Sequence, residues 1–359
     1  MRLTIAGGGT GGHISPAIAV GEAVRELNPG AEISYVATPR PVDRRMYADL
    51  GDAVHVLDPP RVDRGLTDMV LLPCRAVREY ARARKLLRNI GTTVLFATGG
   101  YPSIFPLLAA RRMGIPTAIH ESNSIPGRAN RMAARFADVV MTGFPSASGR
   151  FRSETILTGN PVRPSMKRYD RSVARRELGL PGNARVVLFL GGSQGARALN
   201  DLALKVPDGI HLLLQCGSRD LDRVMGLYAG DPRMKIFDFM DDPALLYSAA
   251  DLAVARSGAM TVAELAWFRL PAVYVPYPFA ADDHQRWNAE EVASKGGAIV
   301  MEQDSISAEA LWTGVTGLFR DREALDRMGS DLAAFMPVNP AVLIARAVME
   351  LAEGRGRNG

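Results

Sequence analysis

Three glycine turns, each placed after a short apolar run, bound the chemistry open to this chain. Gly7-Gly8-Gly9-Thr10-Gly11-Gly12 follows residues 3–6, Thr98-Gly99-Gly100-Tyr101 follows residues 94–97, and Gly191-Gly192-Ser193-Gln194-Gly195 follows Arg185–Leu190. A glycine turn between strand and helix lets backbone approach a ligand and aims helix N–H groups at an anion. Three such turns point to a phosphate-rich or sugar-phosphate ligand, although each alone could serve only to pack a helix on its sheet. The first turn formally fits G-x-G-x-x-G, but the second apolar run ends in Ala37-Thr38-Pro39, with Glu32 at its beginning rather than an acid at its end. A dinucleotide site needs that acid, and a P-loop needs a lysine where His13 stands, so NAD binding and ATP hydrolysis both lose ground.

His13 closes the first turn near the start of a helix. The dipole there disfavours imidazolium, so a neutral ring able to accept a proton fits the position; a loop histidine bonded to backbone is the plainer reading. His120 ends a buried-looking run and reads best as a satisfied core imidazole. Glu121 and Asn123, just after it, are better placed to meet a ligand at a strand's C-terminal end. In the second half, Arg256-Ser257-Gly258-Ala259-Met260-Thr261-Val262-Ala263-Glu264 runs from a strand into a helix. Glu264 falls in an early turn, where a carboxylate can accept from two vicinal hydroxyls or simply face water. The polar cluster Asp282-Asp283-His284-Gln285-Arg286-Trp287-Asn288 could meet sugar hydroxyls. No pair of histidines or carboxylates has convincing metal-ligand spacing, so no metal or other cofactor is expected.

Positioning these residues takes alternating strands and helices. Runs at 3–6, 33–37, 94–97, 117–120 and 139–142 are apolar without clean alternation, as expected for parallel strands buried on both faces. A helix is predicted over about 15–27. The plan restarts at Arg185–Leu190, and Gly-Gly-hydroxyl-x-Gly recurs at an offset of 183. Two Rossmann-like α/β units in tandem account for the restart and for a chain of 359 residues, too long for one ordinary core. Gly159-Asn160-Pro161-Val162-Arg163-Pro164 reads as the linker.

Apolar residues make up 47% and charged residues 23%, which excludes a disordered or fibrous chain. No apolar run approaches the roughly 18–20 residues of a membrane-spanning helix, and no signal-peptide hydrophobic region is seen. Two distant cysteines, Cys74 and Cys216, exclude a disulfide scaffold and fit a reducing cytoplasm. The formal charge of +5 is lopsided: residues 1–160 hold 20 Lys+Arg against 13 Asp+Glu, leaving 23 against 25 in the remainder. A basic first half suits an acidic partner or surface for that half.

Taken in order, these segments resemble the MurG family of UDP-N-acetylglucosamine–N-acetylmuramyl-(pentapeptide) pyrophosphoryl-undecaprenol N-acetylglucosamine transferases. The resemblance is carried by Gly-Gly-Thr-Gly-Gly-His at 8–13, Gly-Gly-Tyr at 99–101 and His-Glu-Ser-Asn-Ser-Ile-Pro-Gly at 120–127. It continues through Gly-Asn-Pro-Val-Arg at 159–163, Gly-Gly-Ser-Gln-Gly-Ala-Arg at 191–197, Arg-Ser-Gly-Ala-Met-Thr-Val-Ala-Glu at 256–264 and Asp-His-Gln-x-x-Asn-Ala at 283–289. It implies a GT-B α/β architecture: two Rossmann-like domains with parallel sheets facing across a cleft. These would span about 1–162 and 163–340, with a C-terminal helix at about 341–359 returning to the first. It implies inverting transfer of GlcNAc from UDP-GlcNAc to the 4-hydroxyl of the muramoyl sugar of lipid I, giving lipid II and UDP. By position, the Met240 backbone would meet uracil and Glu264 the ribose hydroxyls. Ser193 and the amides of Ala259, Met260, Thr261, Val262 and Ala263 would hold the diphosphate, and Gln285 the GlcNAc. Arg163, Asn123 and the Thr10-Gly11-Gly12 loop would complete the site. His13 is the favoured base and Glu121 the next candidate. After Tyr101 the chain reads Pro-Ser-Ile-Phe-Pro, less glycine-rich than the family usually shows.

The resemblance further implies peripheral attachment to the cytoplasmic face of the bacterial membrane, with other cell-wall synthesis proteins as candidate partners and no nucleic acid. A helix is predicted from Pro73 to about 89, with Ala76, Val77, Tyr80, Ala83 and Leu87 at helical spacing. Residues 61–90 hold eight basic and three acidic side chains. Against anionic lipid that net charge gives at most roughly 5 kcal/mol before screening. An amphipathic Rossmann helix with its apolar stripe on the sheet fits the same pattern. Rival functions are another GT-B enzyme, such as a glycolipid glycosyltransferase or UDP-GlcNAc 2-epimerase, and a non-catalytic UDP-sugar-binding protein.

Overall fold

A computed structural model describes residues 1–60, 66–191, 196–228 and 230–354, with the side chains of residues 52 and 66–71 left aside. The chain forms two compact units, Met1–Ser165 with Pro337–Gly359, and Met166–Met336.

The N-terminal unit is built on a seven-stranded sheet: β1 Arg2–Gly7, β2 Glu32–Ala37, β3 Val54–Val56, β4 Val94–Gly99, β5 Thr117–Glu121, β6 Val139–Thr142 and β7 Thr155–Leu157. Its order is β3-β2-β1-β4-β5-β6-β7, and every pairing is parallel. β4 and β5 are buried throughout, which is why their sequences run apolar without alternating. The C-terminal unit repeats the plan with β8 Arg185–Leu190, β9 Ile210–Gln215, β10 Met234–Phe237, β11 Leu252–Ala255, β12 Ala272–Tyr274 and β13 Ala298–Val300, ordered β10-β9-β8-β11-β12-β13. In both units the glycine turn follows the strand at which the strand order reverses, the usual ligand crevice of an open α/β sheet.

Helix Gly11–Leu27 starts earlier than its sequence suggests, because Thr10 accepts through its carbonyl from the amides of both His13 and Ile14. Its apolar face, including Ile14, Ala17 and Ile18, packs with Ala341, Ile344, Ala345 and Val348 of helix Pro340–Ala352 in one core. The presumed linker is not free chain. Asn160 is fully buried and its Nδ2 donates to the Ser122 carbonyl at 3.0 Å. Gly159, at φ +74°, leaves only 2.9 Å between an added Cβ and Pro337 Cδ. The boundary therefore lies after Ser165, slightly beyond the expected one.

Helix Leu66–Ile90 also begins before Pro73, which lies inside it rather than in its first turn. Ala83 and Leu87 join the core beneath Leu95 and Leu107, so that part of the stripe packs on the sheet. Val77 is 68% exposed, on the same helix as Arg75, Arg78 and Arg82. These three arginines line a concavity of about 500 Å³ with Asp58, Pro59, Pro60 and Glu79. Arg61 and Arg64, counted in the basic segment, lie outside the described residues. Helices Arg322–Phe335 and Pro340–Ala352 are separate and 14 and 13 residues long, each too short to cross a bilayer.

Candidate functional site

In the N-terminal unit the first glycine turn closes on the protein's own carboxylate. Asp43, 1% exposed, accepts from the Gly9 amide at 3.1 and 3.0 Å and from the Thr38 amide at 2.7 Å. A Cβ at Gly8 would lie 2.5 Å from Asp43 Oδ1, so glycine here makes room for the carboxylate. Arg40 Nη1 donates to the Gly9 carbonyl at 2.7 Å, and Tyr47 to the Gly7 carbonyl at 2.5 Å. The expectation that this turn offers its amides to phosphate is thus corrected for Gly9. Thr10, Gly11 and Gly12 open the following helix and remain at least partly exposed.

His13 stands in the first turn of that helix. Its Nδ1 is 3.1 Å from Thr10 Oγ1, and Thr98 Oγ1 donates to its carbonyl at 2.7 Å. Burial lowers its pKa to about 4, with Asp43 and the Gly8 backbone acting weakly the other way, so the ring is neutral at pH 7. The ring lies on Gly100: a Cβ there would sit 2.9 Å from His13 Cε1. The neighbouring Gly99 makes room for Asn130, whose Nδ2 would be 2.4 Å from an added Cβ. Both glycines have positive φ, +95° and +77°. The turn that the sequence offered as a third phosphate loop is therefore shaped by two side chains of the same unit.

Asn130 links that turn to Glu121. Its Oδ1 accepts from the Gly100 amide at 2.9 Å, and its Nδ2 donates to Glu121 Oε2 at 2.8 Å. Glu121, 2% exposed, also accepts from the Asn123 amide, Asn123 Nδ2 and the Gly127 amide, at 2.8, 3.2 and 3.2 Å. Burial raises its pKa while these bonds oppose the rise. With both oxygens spent on four donors, the carboxylate holds the 121–130 loop in shape and is poorly placed to take a proton from a substrate, which corrects its standing as an alternative base. Asn123 is thereby fixed against Glu121. His120 is the satisfied core imidazole expected of it: fully buried, Nε2 3.0 Å from the Gly159 carbonyl, with burial lowering its pKa to about 4. Arg163 does not project freely. Its Nε and Nη2 both reach Glu22 Oε1, at 2.9 and 2.7 Å, within the same unit.

In the C-terminal unit the strand ends gather another set. Helix Ala259–Phe268 begins after Gly258. The Val262 amide bonds the Gly258 carbonyl at 3.0 Å, and Ala263 lies one step deeper in the helical ladder. That leaves the amides of Ala259, Met260 and Thr261 as the helix's open donors among the described residues, narrowing the expected five to three. Glu264, partly buried in the second turn, accepts from Tyr247 Oη at 2.6 Å. Burial raises its pKa to about 7.

Helix His284–Ala293 is tied to the same loop: Ser257 Oγ donates to the Gln285 carbonyl at 2.7 Å, and Asn288 Nδ2 to the Ser257 carbonyl at 3.1 Å. Gln285 Oε1 accepts from the Tyr277 amide at 3.1 Å, which leaves its Nε2 as a donor without a partner among the described residues. Arg256, its pKa lowered to about 10 by burial, braces the strand ends through the carbonyls of Val275 and Pro276. Met240 lies in the loop after β10, partly buried. Ser193 lies outside the described residues. Among the described residues no group of three or more His, Cys, Asp or Glu is placed to hold a metal ion. Asp43, Asn130, Tyr247 and Arg256 escaped the sequence reading of the site; only Arg256, inside a motif already singled out, carried any signal.

Comparison with known proteins bears on both units. Residues 3–142 match the glycosyltransferase family 28 N-terminal domain and 186–338 its C-terminal domain. The transferase named UDP-N-acetylglucosamine–N-acetylmuramyl-(pentapeptide) pyrophosphoryl-undecaprenol N-acetylglucosamine transferase from Desulforudis audaxviator is 37% identical, covering 91% of this chain and 92% of its own. That of Mycobacterium sp. strain KMS is 35% identical over 100% and 98%. The crystal structure of Acinetobacter baumannii MurG superposes with a TM-score of 0.76 at 29% identity, covering 97% of this chain and 99% of that one. A UDP-GlcNAc 2-epimerase from Neisseria meningitidis, at 13% identity and TM-score 0.68, shares the fold alone. Full-length identity, paired domain matches and two parallel Rossmann-like sheets lead to one conclusion: the chain belongs to the MurG family, with the two-domain GT-B architecture of glycosyltransferase family 28.

Proposed function

We propose that the protein transfers GlcNAc from UDP-GlcNAc to lipid I, forming lipid II and UDP. The observation that carries this is the C-terminal cluster: three open amides at a helix N-terminus, with Glu264 on the same helix and Gln285 on the helix tied to it. As the glycosidic bond breaks, negative charge gathers on the β-phosphate. Amides held in place before the reaction stabilise that charge without reorganising, each contributing up to about 3 kcal/mol. Glu264 accepts from the ribose hydroxyls, and Gln285 donates through Nε2 to a GlcNAc hydroxyl. Uracil meets the backbone near Met240.

His13 takes the proton from the acceptor hydroxyl as that oxygen attacks the anomeric carbon from the side opposite UDP, inverting the centre. Burial leaves its lone pair unprotonated at neutral pH, and the negative pyrophosphate of an arriving acceptor raises its basicity toward that of the medium. The Glu121–Asn130–Gly100 chain holds the surface on which the ring rests. Arg75, Arg78, Arg82 and exposed Val77 supply a basic and partly apolar patch for reversible contact with anionic lipid at the cytoplasmic face of the membrane.

UDP release from UDP-GlcNAc, measured with and without a lipid I analogue, tests the transfer. Release that depends on acceptor and yields the disaccharide lipid supports it. Conversion of UDP-GlcNAc without acceptor, or binding without turnover, overturns it. Co-sedimentation with vesicles tests the membrane contact, which falls if anionic lipid adds no salt-sensitive binding.

A further inference from the structure

We propose that Tyr247 is a positioning residue of the sugar-donor site, anchoring one carboxylate oxygen of Glu264 so that the other is left to the ribose of a uridine diphosphate sugar. The inference rests on the ribose-binding reading of Glu264 given above.

Tyr247 belongs to helix Pro243–Ala249 and is 6% exposed. Its ring packs against Phe268, at the end of Glu264's own helix, with centroids 5.1 Å apart and planes tilted by 50°. Held by that contact, its hydroxyl donates to Glu264 Oε2 at 2.6 Å. Glu264 Oε1 has no hydrogen-bond or ion-pair partner among the described residues. Glu79 of helix Leu66–Ile90, paired with Arg82 through Oε1, also leaves its other oxygen without a partner, but two other buried carboxylates spend both. Asp251 meets Arg171, Arg175, Arg322 and the Val186 amide, and Glu121 meets four donors. Glu264, unlike those two, keeps one oxygen unspent, and unlike Glu79 it does so without a cation. A polar group left half satisfied in a partly buried place is a standing cost unless a ligand completes it.

The groups around the pair are few. Helices Pro243–Ala249, His284–Ala293 and Arg322–Phe335 all pack on helix Ala259–Phe268. Among the described residues, Tyr247 is the one titratable group from them that acts on Glu264. Tyr274 of β12 adds to the rise in the Tyr247 pKa that burial causes. Burial pushes the Glu264 carboxyl up to about 7, and the tyrosine hydrogen bond opposes that rise. Deleting the hydroxyl removes the interaction that favours the anion, so the titration moves to higher pH. At neutral pH fewer molecules then present the carboxylate that accepts from both ribose hydroxyls.

The test is calorimetric titration of the full-length Tyr247→Phe protein with UDP between about pH 6 and 9, alongside Glu264→Gln. Tyr247→Phe is expected to weaken UDP binding about tenfold at pH 7, the weight of one charge-assisted hydrogen bond. The pH at which affinity begins to fall should move up by about one unit. Preference for UDP over 2′-deoxy-UDP should shrink. In turnover the loss should appear in the UDP-GlcNAc KM more than in kcat. A purely packing role would lower the thermal midpoint and leave the pH profile in place, and that result overturns the proposal. If Glu264→Gln weakens UDP binding while Tyr247→Phe does not, this inference fails and the ribose reading stands. Wild-type UDP affinity in Glu264→Gln removes the ribose reading and this inference with it.

Discussion

The two units share their strand order apart from the seventh strand of the first, yet two of their strand-to-helix junctions treat backbone amides in opposite ways. In the N-terminal unit Asp43 takes the Gly9 and Thr38 amides, so an anion of the protein itself sits in the cradle. In the C-terminal unit the amides of Ala259, Met260 and Thr261 meet no acceptor among the described residues. A glycine turn therefore does not by itself announce a phosphate site; what decides is whether the chain supplies its own acceptor. The N-terminal junction spends its donors on the protein itself, and the C-terminal helix leaves three amides without an acceptor among the described residues.

The sharpest break of that contrast is His13→Ala. It should lower kcat by roughly 10²–10⁴-fold while leaving the UDP-GlcNAc KM nearly unchanged, measured by UDP release at saturating acceptor. Near-normal turnover would remove the ring from the chemistry and leave the N-terminal unit with only a structural claim.

Acid should next separate the units. His13 and His120 hold pKa values near 4 in the fold against about 6.5 unfolded. The unfolded chain thus binds more protons between those values, and stability falls as pH drops through that window, by up to roughly 3 kcal/mol for fully buried His120. Glu121, raised by burial, offsets part of this. Glu264 is raised to about 7, so the folded C-terminal unit binds an extra proton there and gains stability as pH falls from about 7 toward 4.5, with His211, lowered by burial, offsetting part of the gain. Hydrogen exchange corrected for its intrinsic pH dependence should show the N-terminal unit opening first; equal opening would count against the contrast.

Asp43→Ala comes third. It strands two buried amides and should cost about 2 kcal/mol in urea unfolding, with the loss confined to the N-terminal unit. The smallest effect belongs to Arg163→Ala. Its ion pair with Glu22 is exposed, so stability should change by less than about 1 kcal/mol. A clear rise in UDP-GlcNAc KM in that variant would show that Arg163 leaves Glu22 to meet the sugar donor.

Much of the scaffold was legible because buried parallel strands have a plain signature. Runs such as Val139–Thr142 and Leu252–Ala255 admit little else, and the repeat of Gly-Gly-hydroxyl-x-Gly marks the restart. The satisfied state of His120 was readable too. What escaped was pairing across sequence distance. Asp43 lies 34 residues from Gly9 and Tyr247 lies 17 from Glu264, and neither distance leaves a periodic trace. Gly99 and Gly100 invited a ligand explanation because a sequence cannot say which side chain will press on a glycine. Pro73 misled in a simpler way: it suits a first turn, but the helix runs back to Leu66 and holds the proline inside it.

The return of helix Pro340–Ala352 to pack beside helix Gly11–Leu27 makes the first unit discontinuous in sequence. On a ribosome, residues 1–165 emerge early but lack one wall until residues 340–352 have been made, whereas residues 166–336 can close as soon as they are out. Synthesis order and completion order are thus reversed. A stop before Pro340 would take away the helix that covers Ile14, Ala17 and Ile18 and undo the half of the protein that was translated first.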